Sequence, residues 1–254
     1  MSDLPHRLER RILIRARRDV VFQYFTDPAR WASWWGAGSS IEARPGGRML
    51  IRHPNGVEAS GEVVEVRAPE RIVFTYGMAT QAAMPPGTTR VTIDLAPHAD
   101  GTRLTLTHEF ADAGVRDEHV QGWRYQLSVF TNVVANAATA DPGAVADRWL
   151  AVWSTADPET RNAALDALAA PGVRVADRFS AVAGLDEVRA HLAAVHRFMP
   201  GMRLERRGEA RHCQWTVLAD WVALGADGAE KGRGTSVVAL DADGRVEAVT
   251  SFWA

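Results

Sequence analysis

The stretch running through Leu8, Arg10, Ile12 and Ile14 alternates between faces, which predicts a strand. The period then changes. In RRDVVFQYFTDPARWASWW, Val21, Phe25 and the later tryptophans recur at helical spacing, and Asp27-Pro28 divides the stretch into two short helices. From 39 to 110 the alternation returns in six short runs: SSIEA, GGRMLIRH, ASGEVVEV, RIVFTYG, TTRVTIDLA and TRLTLTHEF. Turn signals at PGG (45–47), HPNG (53–56), APE (68–70) and HADG (98–101) separate several of them, the pattern of an antiparallel meander. A long helix is predicted over about 116–138, with Val120, Trp123, Leu127, Phe130, Val134 and Ala137 as its apolar stripe.

TADPGA at 139–144 reads as a seam, giving two domains, 1–140 and 141–254. Beyond it three helices are expected. The first carries Val145, Trp149 and Val152 on one face. The second begins at Pro158 and stops at Gly172, and the third has the stripe Val188, Leu192, Val195 and Met199. VRVADRF reads as a short strand between the second and third. Three long strands, 203–224, 232–241 and 245–253, close the chain. Both domains are therefore α+β. The first is an antiparallel sheet wrapped on a long C-terminal helix, and the second is an α+β cone with a curved antiparallel sheet.

Composition narrows the class. The chain has 254 residues, a formal net charge of −2 and an ordinary apolar share of 46%. Neither half is strongly basic, so nucleic acid is not expected as a partner. No apolar run reaches the length of a membrane helix, and MSDLPHRLERR lacks the apolar core of a secretory signal, so a cytoplasmic location and no membrane partner are expected. The single cysteine, Cys213, excludes an internal disulfide and a cysteine-cluster metal site. Lys231 is the only lysine among 29 basic residues, a bias consistent with a GC-rich bacterial genome. There is no phosphate loop, Gly-x-Gly dinucleotide turn, serine elbow or His-x-x-x-His, so no cofactor and no metal are expected.

TDPARWASWWG, PGGRM, GEVVEVRAPERIVFTYG, TRVTIDL with GTRLTLTHEF, and HVQGWRYQLSVF follow in an order and spacing that resemble the SRPBCC (START/Bet v 1-like, helix-grip) superfamily. Within it they resemble the family named after the activator of Hsp90 ATPase homologue, over residues 8–135. That resemblance implies a helix-grip fold around an apolar cavity. The second segment is similar to the NTF2-like superfamily, particularly its SnoaL-like group, through Trp149, VADRF before GLDEVRAHL, the strands around Trp215 and Trp221, and DADGRVEAVTSFW. That superfamily includes polyketide cyclases, isomerase-like enzymes, hydrolases and members without catalysis.

Candidate chemistry follows from which side chains share a face. Leu104, Leu106, His108 and Phe110 lie on one strand face, and Met49, Ile51 and His53 form a similar set. His108 and His53 are thus polar groups among apolar ones, placed either to orient a ligand or exchange a proton, or to serve as hydrogen-bonded core residues. His119 is expected to be exposed. Trp34 and Trp35 are about 100° apart on a helix, so one is expected to anchor the turn while the other reaches a cavity opposite Trp123. The first cavity is expected to be lined by Trp34, Trp35, Met49, His53, Tyr76, Leu106, His108, Trp123 and Leu127. MATQAAMPPGT (78–88) is either a lid over it or a loose connection. The second is expected to be lined by Trp149, Phe179 and Trp215.

Asp177 and His108 are the catalytic candidates. Asp177 in VADRF stands where the resemblance to isomerase-like relatives implies a base, although Trp149 occupies the place of their tyrosine donor and strand 232–241 offers only Thr235 and Ser236 as partners. Cys213, Trp215, Val217, Ala219 and Trp221 fall on one face of the expected strand 203–224. The preferred reading is a protein binding an apolar or aromatic small molecule, in bacterial secondary metabolism or detoxification. The alternatives are a cofactor-independent cyclase-, isomerase- or hydrolase-type enzyme and a co-chaperone-type interaction protein. Apolar residues on both faces of the second sheet predict a homodimer.

Overall fold

The computed structural model describes residues 3–254 as two units dividing between Val134 and Ala135. Both are α+β, and the described residues form two sheets and six helices.

In the first unit, β1 (His6–Ile14) is followed by α1 (Arg18–Gln23), α2 (Pro28–Trp35), β2 (Ser40–Ile41), β3 (Arg48–Arg52), β4 (Glu58–Arg67), β5 (Arg71–Tyr76), β6 (Thr89–His98) and β7 (Gly101–Phe110). The strands pair antiparallel in the order β1-β7-β6-β5-β4-β3-β2, so β2 to β7 form the expected meander and β1 returns to the free edge of β7. Asp27 starts α2 because its carboxylate accepts from the Arg30 N–H at 2.9 Å while Pro28 takes the first helical position. Gly36 ends α2 at φ +140°, and a Cβ there would meet the Arg52 carbonyl oxygen at 2.4 Å, so no other residue fits.

Next comes α3 (Ala113–Ala138), which carries the chain across the boundary at Val134; it is capped by Asp112, which accepts from the Val115 N–H at 2.9 Å. Trp123, Leu127, Phe130 and Val134 of the expected stripe are buried, Val120 is half-buried and Ala137 is exposed. Phe130 joins Phe25, Trp31, Phe74 and Phe110 as large side chains fully removed from water.

The second unit contains α4 (Pro142–Ser154), α5 (Pro158–Leu168), β8 (Ala169–Ala176), β9 (Ala181–Ala183), α6 (Leu185–Phe198), β10 (Arg203–Cys213), β11 (Thr216–Leu224), β12 (Glu230–Leu240) and β13 (Val246–Trp253). The sheet order is β10-β11-β12-β13-β8-β9, antiparallel except where β13 runs parallel to β8. Asp141 and Asp157 cap α4 and α5, each followed by proline.

Three expectations are corrected here. The second helix ends at Leu168, and Gly172 lies within β8. The stretch 203–224 is a hairpin rather than one strand. Its two-residue turn is Gln214-Trp215, at φ 48° and 59°, which lets Cys213 pair with Thr216. Such a turn usually announces itself with Asn or Gly, and its absence made the two strands read as one. The turn also breaks the expected shared face: Trp215, Val217, Ala219 and Trp221 are buried, whereas Cys213 is exposed.

Candidate functional site

Trp31, Trp34 and Trp35 occupy helix positions i, i+3 and i+4, so they span one inward face of α2 and all three are buried. This corrects the expectation that Trp34 and Trp35 part company, because two neighbours straddling a stripe both face inward. Their rings lie 4.2 Å apart at 33°. Trp31 donates its indole N–H to the Leu50 carbonyl at 3.1 Å, and Trp34 donates to the Tyr24 carbonyl at 3.3 Å. Trp35 continues the cluster to Trp123 of α3, ring to ring at 5.6 Å, and to His53 at 5.7 Å.

These rings border a cavity of about 590 Å³. Trp34 and Trp35 form one side, His53 to Asn55 a second, and Tyr76 with Met78 and Gln81 a third. The face of α3 from Glu118 to Val129 completes it. The size lies in the ordinary range for a small-molecule site. The 78–88 loop is anchored rather than loose. Met84 is fully buried, and the loop is cross-tied by Met78 N–H to Met84 O at 2.8 Å and Gln81 N–H to Met78 O at 3.1 Å. A Cβ on Gly77 would meet the Pro85 carbonyl oxygen at 1.9 Å, so the loop folds back over a glycine by necessity. The Gln81 amide donates to the Glu118 carboxylate at 3.1 Å, tying the loop to α3.

His108 lies behind this wall rather than in it. It is wholly buried, and both ring nitrogens are engaged. Thr89 spends its hydroxyl proton on the Tyr76 carbonyl at 2.7 Å, so the 2.8 Å contact to His108 Nε2 requires Nε2–H as donor. Nδ1 is then bare and accepts from the Trp123 indole N–H at 2.9 Å. Burial holds His108 well below the usual histidine range, with His119 adding to the effect, so the ring is neutral. Its arrangement fixes Trp123 and Tyr76 and leaves no nitrogen for a substrate. His53 is also lowered by burial.

Of the residues expected to line the first cavity, Trp34, Trp35, His53, Tyr76 and Trp123 do so. Met49, Leu106, His108 and Leu127 do not: they are buried in the core, because the inward faces of the sheet and α3 are packed over most of their area. His119, expected outside, is half-buried in the wall. Its Nδ1 lies 2.8 Å from the Val115 carbonyl one turn earlier in α3. The missed signal was the spacing of His119 and Trp123, which places both on the same helical face.

In the second unit a cavity of about 410 Å³ lies among Trp149, Trp153, Asp177, His191, Trp221 and Trp253. Asp177 is half-buried, and its carboxylate is committed to its own turn. Oδ1 accepts from the Phe179 and Ser180 N–H groups, each at 2.8 Å, and from the Ser180 hydroxyl at 3.1 Å. Oδ2 accepts from the Trp253 indole at 3.3 Å. His191 Nε2 reaches the Ser180 hydroxyl at 3.3 Å. Trp149 lines the cavity, and Phe179 stands largely exposed at its rim with the Arg178 guanidinium over its ring at 4.6 Å. Trp215 does not take part, because the hairpin turn carries it away from this wall. Ser236, noted in the sequence as a partner candidate, lines the cavity and accepts from the Trp221 indole at 2.9 Å.

Residues 15–135, a little under half of the chain, match the family model described as Activator of Hsp90 ATPase homolog 1-like protein. The first unit carries an AHSA1-like domain. Among solved structures, the chain is similar to an AHSA1-like protein from Rhizobium etli. Identity is 30% over 52% of this chain and 85% of that one, with a TM-score of 0.43. It is similar to a SnoaL-like family protein from Agrobacterium tumefaciens at 26% identity, covering 44% of this chain and 95% of that one, with a TM-score of 0.43. CalU16 from Micromonospora echinospora is 25% identical over 49% of this chain and 74% of that one, with a TM-score of 0.40. No curated protein matches. Among the described residues, no group of three or more His, Cys, Asp or Glu is placed to hold a metal ion, and no helix is long and apolar enough to cross a membrane.

Proposed function

We propose that the AHSA1-like domain binds an apolar or aromatic small molecule in the cavity beside α2. The observation that carries this reading is the Trp34, Trp35 and Trp123 cluster in the wall of an open cavity. Indole faces supply large apolar area with few bonds to immobilise, so they favour a flat ligand. Tryptophan fluorescence should shift on titration with polycyclic aromatic probes, and Trp35→Ala or Trp123→Ala should weaken the response about tenfold or more. No response from the unmodified protein to any apolar probe would overturn the reading. The finer architecture belongs to the same proposal: a helix-grip unit of SRPBCC type followed by an NTF2-like, SnoaL-like cone, supported by the element order of each unit.

A second reading is a cofactor-independent cyclase- or isomerase-type reaction in the second cavity. Asp177 supports it by standing in the wall of that cavity beside Trp149 and His191. Asp177→Asn should then abolish turnover while leaving the fold intact, and equal turnover would exclude it.

Homodimerisation is proposed on a changed footing. Trp215, Trp221, Val238, Leu240 and Val249 are buried within one protomer and offer no exposed patch. What remains outward is Leu218, Val237, Ala239 and Ala248, all half-buried, with Phe252 at 61% exposure. Light scattering of the whole chain should give twice 27.7 kDa, falling to 27.7 kDa in Phe252→Glu. A monomeric parent chain would refute it.

A further inference from the structure

We propose that Tyr76 and His119 are the polar recognition pair of the first cavity, and that its ligand is a flat aromatic compound bearing a neutral hydroxyl group donated to His119 and accepting from Tyr76. The proposal rests on the binding reading above and specifies the chemistry of that ligand.

Tyr76 ends β5, and its side chain is almost wholly buried, 4% exposed, with its ring against those of His108 and His119. No other described residue makes a hydrogen bond to its hydroxyl, yet the oxygen is not among the sealed polar atoms of the unit. The cavity is the open space that Tyr76 lines, so the hydroxyl has its free surface there. Burial raises the phenol far above its ordinary range, and the group stays O–H at every working pH, able to donate or accept.

His119 supplies the complementary function. A carbonyl oxygen only accepts, so the 2.8 Å contact between His119 Nδ1 and the Val115 carbonyl places the proton on Nδ1. With that proton on Nδ1, Nε2 is the nitrogen left to accept; it has no partner among the described residues and is likewise unsealed. The two rings stand perpendicular with centroids 6.1 Å apart, and both belong to the cavity wall.

This wall thus offers an accepting nitrogen in the Nδ1–H tautomer of His119 and a phenol that can donate. A methyl or bare ring edge satisfies neither, and a carboxylate has no proton for Nε2. A hydroxyl on an aromatic ring satisfies both, while the ring itself meets Trp34 and Trp35. Leaving two polar groups unpaired under an apolar ligand is costly, so discrimination of about tenfold or more is expected.

The test is calorimetric titration of the full chain with 2-naphthol and with its shape mimic 2-methylnaphthalene. The proposal expects 2-naphthol to bind at least about tenfold more tightly. Tyr76→Phe and His119→Gln should each shrink that preference to within about threefold. Equal affinity of the unmodified protein for the two probes overturns the recognition pair while leaving the binding reading intact. Binding of neither probe overturns both. Because the two probes are compared on the unmodified chain, a variant that fails to fold does not protect the proposal.

Discussion

The two cavities use tryptophan against different backgrounds. In the first unit the indole N–H groups of Trp31 and Trp34 are satisfied by backbone carbonyls, and that of Trp123 by a buried neutral histidine. Trp31 lies in the core, while Trp34, Trp35 and Trp123 border the cavity with little of their own surface exposed. In the second unit Trp253 donates to a carboxylate in the cavity wall, and Arg178 stacks over the neighbouring Phe179 and reaches the Trp253 ring. Charge there stands in front of the aromatic surface. Three tryptophans line the first cavity and four the second, and the two sites differ because the hydrogen-bond partners of their rings differ.

The largest test of this contrast is Trp31→Ala. Trp31 is fully buried and holds both neighbouring tryptophans, with ring contacts at 5.4 and 5.7 Å, so its removal should destabilise the first unit by about 3–5 kcal/mol. Denaturant unfolding followed by tryptophan fluorescence should show this loss. A loss under about 1 kcal/mol would mean that the cluster is not the keystone of that cavity.

Acidification should come next in size. Burial lowers His108 and His53, so the unfolded chain binds protons that the folded first unit refuses. Their contribution to stability is complete above the ordinary histidine value of 6.5 and is lost as pH falls below it. His196 and His212 of the second unit shift in the same direction, but they are less deeply buried and should contribute less. Unfolding midpoints measured from pH 7.5 to 5.0 should fall. In His108→Gln, which still presents an acceptor and a donor, the fall should be shallower. An unchanged slope would remove His108 from the account.

The smallest effect is expected at Asp177. As a turn-capping carboxylate it should cost about 1 kcal/mol on replacement by alanine and less on replacement by asparagine, which keeps one accepting oxygen. Thermal unfolding checks both. A stabilising effect of either substitution would instead point to a carboxylate held at a cost for function.

The sequence by itself determined most of the element order. The α1/α2 break follows from proline after aspartate, the strands from alternation, and the helix starts at Asp27, Asp141 and Asp157 from side chains that accept backbone N–H groups. These are local effects, written within a few residues. The two-residue turn at Gln214-Trp215 escaped because its positive φ values are imposed by the pairing of β10 with β11 rather than favoured by its residues. The site divided along the same line. Trp34, Trp35 and Trp123 were legible from bulk and spacing, and Asp177 from its place before a helix. Whether a buried histidine faces a ligand or a threonine is settled by partners far along the chain, such as Thr89 and Trp123 around His108. Only the tertiary structure decided that His108 is spent in the core while Tyr76 and His119 face open space. A hydrogen bond formed across the sheet fixes a ring's tautomer and orientation, and periodicity along one strand carries no record of it.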